Sequence, residues 1–253
     1  MKICDWSSLW RGRALALLII LLGGAQLAYA APITYTGSSG VLAASATFDT
    51  LGTDLVVTLV NTSPNDVLVQ SNLLASVYYE VPGPLLGLTP GTGSAVLGPG
   101  STVLFGTTDP GNVVGGEWAY AENIGGSSPN GARYGISSAG YGIFGSANFP
   151  GSNLQGPAAV NGSQYGITSA GDNPATGQSA VTGSNALIKN SVVFTIPGLP
   201  ANFDPASKIT NVFFQYGTAL IPTDPGFPGT SPEPATIGLL ALGLIGLSRN
   251  RRR

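Results

Sequence analysis

Leu55-Val56-Val57-Thr58-Leu59-Val60-Asn61 is the stretch of sequence that decides the fold. It has the pattern of a strong β-strand with apolar residues on both faces, and such a strand is expected near the centre of a sheet. A polar turn, Thr62-Ser63-Pro64-Asn65-Asp66, follows it at once. This succession of strand and turn predicts a chain built from short strands separated by turns.

The rest of the region between residues 31 and 230 has the same organisation, because short apolar runs alternate with segments rich in Gly, Ser, Thr, Asn and Pro. No ten-residue stretch of this region has helical periodicity. We predict an all-β fold in one domain, an antiparallel β-sandwich with a jelly-roll-like arrangement. The other predicted strands lie at residues 33–36, 43–50, 73–81, 101–105, 117–122, 191–196 and 208–216.

The N-terminus has the features of an export signal. Three basic residues, Lys2, Arg11 and Arg13, precede a continuous apolar run over residues 14–22. Ala28-Tyr29-Ala30 then fits an A-x-A cleavage site. We predict a signal peptide over residues 1–30 that contains an apolar signal helix and is cleaved after Ala30. An uncleaved anchor helix is the alternative.

The C-terminus consists of a polar motif, an apolar segment and a cationic end, in that order. Pro232-Glu233-Pro234 precedes an apolar run of thirteen residues, 235–247, and the chain ends with Arg249, Arg251, Arg252 and Arg253. Thirteen helical residues cover only about 20 Å of a roughly 30 Å hydrocarbon core, but arginine side chains can extend back along the membrane edge. We predict a transmembrane helix at about 235–248 with a cytoplasmic arginine stop. A buried core helix is the alternative.

Residues 231–253 therefore resemble a PEP-CTERM sorting tail of the kind that exosortases of Gram-negative bacteria process. The resemblance implies that the helix is a transient anchor and that this chain is the substrate of an exosortase-type enzyme. It also implies an inner-membrane intermediate and then a place at the cell surface or in the extracellular matrix. Signal peptidase and the secretion machinery are the other expected partners. Bacteria with such systems often make exopolysaccharide and biofilm.

Two copies of one pattern occupy residues 130–140 and 161–171, with an offset of thirty-one residues. Each copy contains Tyr-Gly-Ile-(Ser/Thr)-Ser-Ala-Gly. With segments 185–194 and 212–218, the pattern resembles one class of exosortase-dependent surface proteins that has no assigned activity. Two copies are too few for a solenoid. They are either equivalent turn–strand units that pack through Tyr and Ile, or a binding surface on which Tyr134 and Tyr165 stack against sugar rings.

Charge and cysteine content restrict the partners of the domain. Between residues 31 and 230, ten acids accompany three bases (Arg133, Lys189 and Lys208), so the region has a net charge of −7 although the whole chain sums to −2. Nucleic acid is not an expected partner, because phosphate binding needs clustered Lys and Arg. The single cysteine, Cys4, lies in the predicted signal peptide. The exported domain is therefore held by its core without a disulfide.

The absence of histidine from the whole chain restricts the chemistry further. It excludes a Ser-His-Asp triad, a Cys-His pair and zinc sites built on these residues. Carboxylate catalysis and calcium binding by oxygen ligands remain open. The candidate glycosidase pair is Glu117 and Glu122, which flank Trp118 and Tyr120, and Glu80 is the only other glutamate of the domain.

Calcium ligands could come from two turns, Asp49 with Asp54 or Asn65 with Asp66. Neither turn matches an EF-hand loop or a Gly-Gly-x-Gly-x-Asp array. Turn formation by Asn and Asp explains both without a metal. We therefore expect neither a metal nor a cofactor.

Two main hypotheses about function follow. The first is a non-enzymatic surface or matrix protein that is sorted and processed through its tail. The second is a carbohydrate-binding module that retains exopolysaccharide through Trp118, Tyr134 and Tyr165. The exposure of these three rings distinguishes them. A third hypothesis, a glycoside hydrolase, depends on Glu117 and Glu122.

Overall fold

The computed structural model describes residues 30–154 and 162–231. The predicted signal peptide up to Tyr29, Asn161 of the second repeat copy, the sorting motif and the predicted transmembrane helix lie outside these ranges. Within them, no helix is long and apolar enough to cross a membrane.

Thirteen strands form most of the regular structure in the described ranges. In chain order they are β1 (Ile33–Ser39), β2 (Leu42–Leu51), β3 (Asp54–Asn61), β4 (Leu74–Glu80), β5 (Ala95–Leu97), β6 (Thr102–Leu104), β7 (Ala119–Glu122), β8 (Tyr134–Ser137), β9 (Ile167–Thr168), β10 (Leu187–Lys189), β11 (Ser191–Pro197), β12 (Thr210–Tyr216) and β13 (Gly226–Pro228). A one-turn helix, α1 (Pro205–Lys208), precedes β12, and short 3-10 turns occupy Gln70–Asn72, Gly115–Glu117, Ser146–Asn148 and Ser179–Val181. The prediction of an all-β chain is confirmed for these ranges.

The first sheet has five strands in the order β1-β2-β3-β11-β5, and every neighbouring pair is antiparallel. The opening stretch of the sequence forms β3, which lies at the centre of this sheet as predicted. Its side chains alternate, because Leu55, Val57 and Leu59 are fully buried, whereas Val56 and Val60 on the outer face are only half-buried.

The second sheet has the order β13-β12-β4-β9-β10-β6, with β8 and β7 attached to β4 as a branch. Its strands β9 and β10 pair in parallel, which departs from the expected antiparallel arrangement. The first three strands of the chain form a meander within one sheet, whereas a jelly roll consists of two Greek keys. The arrangement of two sheets therefore agrees with the predicted sandwich, whereas the order in which the strands are connected does not agree with the predicted jelly roll.

The two sheets enclose one hydrophobic core. Aromatic rings join them: Phe48 of the first sheet lies 5.1 Å from Tyr79 of the second, in an edge-to-face contact. The hydroxyl of Tyr35 donates a hydrogen bond of 2.5 Å to the carbonyl oxygen of Ile209, across the core. Edge-to-face ring pairs contribute about 0.5–1.5 kcal/mol each beyond the area that they bury.

A smaller cluster covers the outer face of the second sheet, where Tyr78, Ala119, Ala121, Ala132 and Phe144 are buried together. Gly135 permits this layer, because a Cβ atom at this position would lie 2.8 Å from a ring carbon of Phe144. The second sheet is consequently buried on both faces, whereas the outer face of the first sheet stays partly open.

Candidate functional site

The three aromatic residues predicted to bind sugar are all buried. Trp118 is 2% exposed, and Tyr134 and Tyr165 are fully buried. The ring of Trp118 packs edge-to-face on Phe194 at 5.1 Å, and that of Tyr134 stacks on Tyr79 at 5.4 Å. The prediction that these rings form an exposed stacking surface is wrong, because each fills space between the sheets.

The hydroxyl groups of Tyr134 and Tyr165, one in each repeat copy, form hydrogen bonds to the main chain of loops. The main-chain N–H of Leu86 donates to the hydroxyl of Tyr134 at 3.0 Å, and the hydroxyl of Tyr165 donates to the carbonyl of Thr107 at 2.9 Å. The two repeat copies lie along one edge of β4, where β8 pairs with its central residues and β9 pairs with Leu74. The structure thus shows two packed turn–strand units on one strand.

The candidate catalytic carboxylates bind main-chain groups. Glu117 is 3% exposed and belongs to a 3-10 turn rather than to β7, which begins two residues later. Its carboxylate accepts a hydrogen bond from the main-chain N–H of Leu154. Glu122 accepts one from the N–H of Gly87 at 3.1 Å and lines an open cleft of about 430 Å³ with Tyr120. Each of the two carboxylates therefore anchors a loop.

Glu80 forms an ion pair with Arg133, with its Oε1 2.6 Å from Nη2. It also accepts the main-chain N–H of Arg133 at 3.0 Å. The guanidinium group donates in addition to the carbonyl oxygens of Val81 and Gly83. This ion pair fixes the turn that follows β4 against the start of β8.

The aspartates considered as calcium ligands also have structural partners. Asp66 accepts from the main-chain N–H of Asn173 at 3.1 Å and from the hydroxyl of Thr176 at 3.2 Å. Asp49 accepts from the N–H of Thr50 at 2.7 Å. Residues 30–154 and 162–231 contain no group of three or more His, Cys, Asp or Glu side chains arranged to hold a metal ion.

Five acids share a role that the sequence did not reveal. We call them the bridging carboxylates, because each accepts a main-chain N–H from a residue at least 35 positions away. Such partners depend on the tertiary fold, so no local motif indicates them. The bridging carboxylates are Asp66, Glu80, Glu117, Glu122 and Asp172.

The two ends of the described chain converge on one end of the sandwich. Ala30 and Ala31 line a cleft of about 560 Å³ at the base of β1. Thr230 forms an antiparallel bridge with Thr36, so the chain that follows Thr230 runs towards the start of β1. The side chain of Ser231 lies near the hydroxyl of Tyr35. The described chain therefore begins just before β1 and ends beside β1, at Ser231.

Comparison with known proteins identifies the C-terminal segment that follows the domain. The family model for the PEP-CTERM protein-sorting motif matches residues 232–253. The resemblance found in the sequence is thus confirmed, and the motif supports export to the cell surface through exosortase processing. No curated protein and no solved structure matches the chain.

Proposed function

We propose that this chain is a non-enzymatic protein of the cell surface or extracellular matrix, delivered through its signal peptide and released from a membrane intermediate by removal of its tail. The observation that carries the proposal is the sorting motif at residues 232–253, which begins directly after a folded β-domain. In this proposal signal peptidase cleaves after Ala30, and an exosortase-type enzyme acts at the motif.

The contacts of the domain support a structural role. The bridging carboxylates include all three glutamates of the domain, and each joins two distant segments of main chain. Hydrogen bonds to charged groups contribute about 1.5–3 kcal/mol each. They stabilise loops in a domain that has no disulfide to do so. The aromatic residues considered for sugar binding contribute to the core instead.

The test replaces Pro232-Glu233-Pro234 by three alanines in the full chain expressed in its natural host. We expect the variant to accumulate in the inner membrane with its C-terminal tail intact, whereas the wild-type chain is trimmed. Mass spectrometry of the C-terminal peptide distinguishes the two forms and locates the cut. Trimming of the alanine variant at the wild-type site would contradict the proposal.

A further inference from the structure

The residues just before the sorting motif are part of the folded domain. Thr230 and Thr36 exchange two main-chain hydrogen bonds, of 2.9 and 2.8 Å. Gly229 donates its N–H to the carbonyl of Val212 at 2.8 Å. We call residues 229–231 the edge segment, because they connect β13 to the edge of β1 that faces away from β2.

The edge segment leaves little chain between the domain and the motif. The motif begins two residues after Thr230 in the sequence, and two residues of extended chain reach at most about 7 Å. An enzyme that binds its substrate as an extended strand forms hydrogen bonds to main-chain groups on both sides of the recognised residues. Here the N–H and C=O of Thr230 are already engaged with Thr36.

We propose that the processing enzyme binds residues 229–231 as an extended strand, which leaves β1 and the carbonyl of Val212 on β12 before the enzyme acts at the motif. This inference rests on the function proposed above. It identifies the edge segment as part of the interaction surface and identifies the partner as a strand-binding enzyme of the membrane.

The contacts of the segment permit its release while the domain stays folded. Thr230 and Pro228 are exposed, and the bridge lies at the edge of the sheet. The next residue towards the N-terminus that is firmly held is Phe227, which is 5% exposed and packs on Phe214 and Tyr216 at 5.9 and 5.6 Å. The buried ring of Phe227 therefore limits how far the chain can separate from the sheets when the edge segment is released.

A disulfide provides the test, because the exported domain contains no cysteine. Residues that exchange both hydrogen bonds have Cα atoms about 5.5 Å apart, which suits a disulfide. In the Thr36→Cys/Thr230→Cys full chain, oxidation should hold the edge segment on β1. We expect the processed fraction to fall about tenfold or more, as for the loss of one or two hydrogen bonds to the enzyme, and reductant to restore it.

The matched control is Thr34→Cys/Thr47→Cys. The hydroxyls of these two residues lie 2.8 Å apart, so a disulfide here joins β1 to β2 and leaves the edge segment free. Processing of this control should equal that of the wild type. A flexible insertion of about six residues after Thr230 spans about 20 Å when extended, and it should restore processing of the Thr36→Cys/Thr230→Cys chain under oxidising conditions.

Equal processing of the oxidised Thr36→Cys/Thr230→Cys chain and the control would overturn the inference, as would an insertion that fails to rescue it. Resistance of the domain to protease shows that each variant is folded. If the double variant does not fold, the same insertion in the wild-type chain should still accelerate processing, and an unchanged rate would contradict the inference. The proposed function has a separate test, because it is contradicted only if the alanine variant of the motif is still trimmed.

Discussion

Asp172 illustrates how single residues stabilise this domain. It is 3% exposed, and its carboxylate accepts the main-chain N–H of Val67 at 2.8 Å. Its own main-chain carbonyl accepts a hydrogen bond from the Lys189 ammonium at 2.8 Å. One residue thereby joins three segments of chain without a covalent link.

We expect Asp172→Ala to lower the free energy of unfolding by about 1–3 kcal/mol, because it leaves the buried N–H of Val67 without an acceptor. Asp172→Asn keeps an acceptor oxygen at the same position and should recover most of this loss. Urea denaturation of the processed protein measures both effects. Equal loss in the two variants would show that the charge, rather than the hydrogen bond to Val67, is the stabilising feature.

The sequence identified the sorting motif but not the roles of the domain's polar and aromatic residues. The sorting motif is a local pattern in the sequence, Pro232-Glu233-Pro234 followed by an apolar run and arginines. It could therefore be recognised without knowledge of the fold. Trp118 lies in an alternating stretch that suits either face of a strand, and its burial is decided by Phe194, which is distant in the chain. Exposure of a ring follows from how the two sheets pack, and the alternating pattern of one strand does not indicate which of its faces will be covered.

At the scale of elements, every strand of seven residues or more overlaps a predicted segment, whereas among the shorter strands only β6 and β7 do. The strands of seven residues or more, such as β2, β3 and β12, have enough alternating positions to be recognised. Strands β9 and β13 have two and three residues and exist because a neighbouring strand pairs with them. Two or three residues are too few to show an alternating pattern, so periodicity could not reveal them.

The glycine of the first repeat copy provides a prediction at this scale. A Cβ atom at Gly135 would lie 2.8–3.0 Å from Phe144, Ile124 and Tyr78. Since overpacking typically costs about 1–3 kcal/mol, Gly135→Ala should lower the free energy of unfolding by that amount. Gly126→Ala is the control, because no atom lies within 4 Å of a Cβ there. Equal stability of the two variants would show that the outer layer repacks freely.

The core of the whole molecule is rich in tyrosine, and this determines its response to alkaline pH. Burial raises the pKa values of Tyr78, Tyr79 and Tyr216 above the ordinary value of 10.0. Below pH 10 these groups are protonated in both folded and unfolded chains, so their contribution to stability is complete. Above pH 10 the unfolded chain loses the protons while the folded chain retains them, so stability falls as pH rises.

We therefore expect cooperative unfolding above pH 10, in which tyrosinate absorbance appears together with the loss of β-sheet circular dichroism. Tyr78→Phe should shift this transition to higher pH, since one titrating group is removed. The hydroxyl of Tyr78 has no hydrogen-bond partner among the described residues, so the substitution removes no such bond. Gradual tyrosinate formation in a fully folded protein would contradict the expectation.

The distribution of charge along the whole chain makes both processing steps measurable. The predicted signal peptide contains three bases and one acid, and the region from Pro232 onwards contains four arginines and Glu233. Removal of the first should change the formal charge from −2 to −4, and removal of the second should change it to −7. Isoelectric focusing should therefore show three species of increasing acidity.

Cys4 assigns these species independently, because it is the only thiol of the chain and lies in the predicted signal peptide. A maleimide reagent should label only the least acidic species, whereas both forms that have lost the signal peptide stay unlabelled. In the alanine variant of the motif, which lacks Glu233, the series should stop at an intermediate with a formal charge of −3. Labelling of the most acidic species would show that residues 1–30 remain attached, which would favour an uncleaved anchor over a signal peptide.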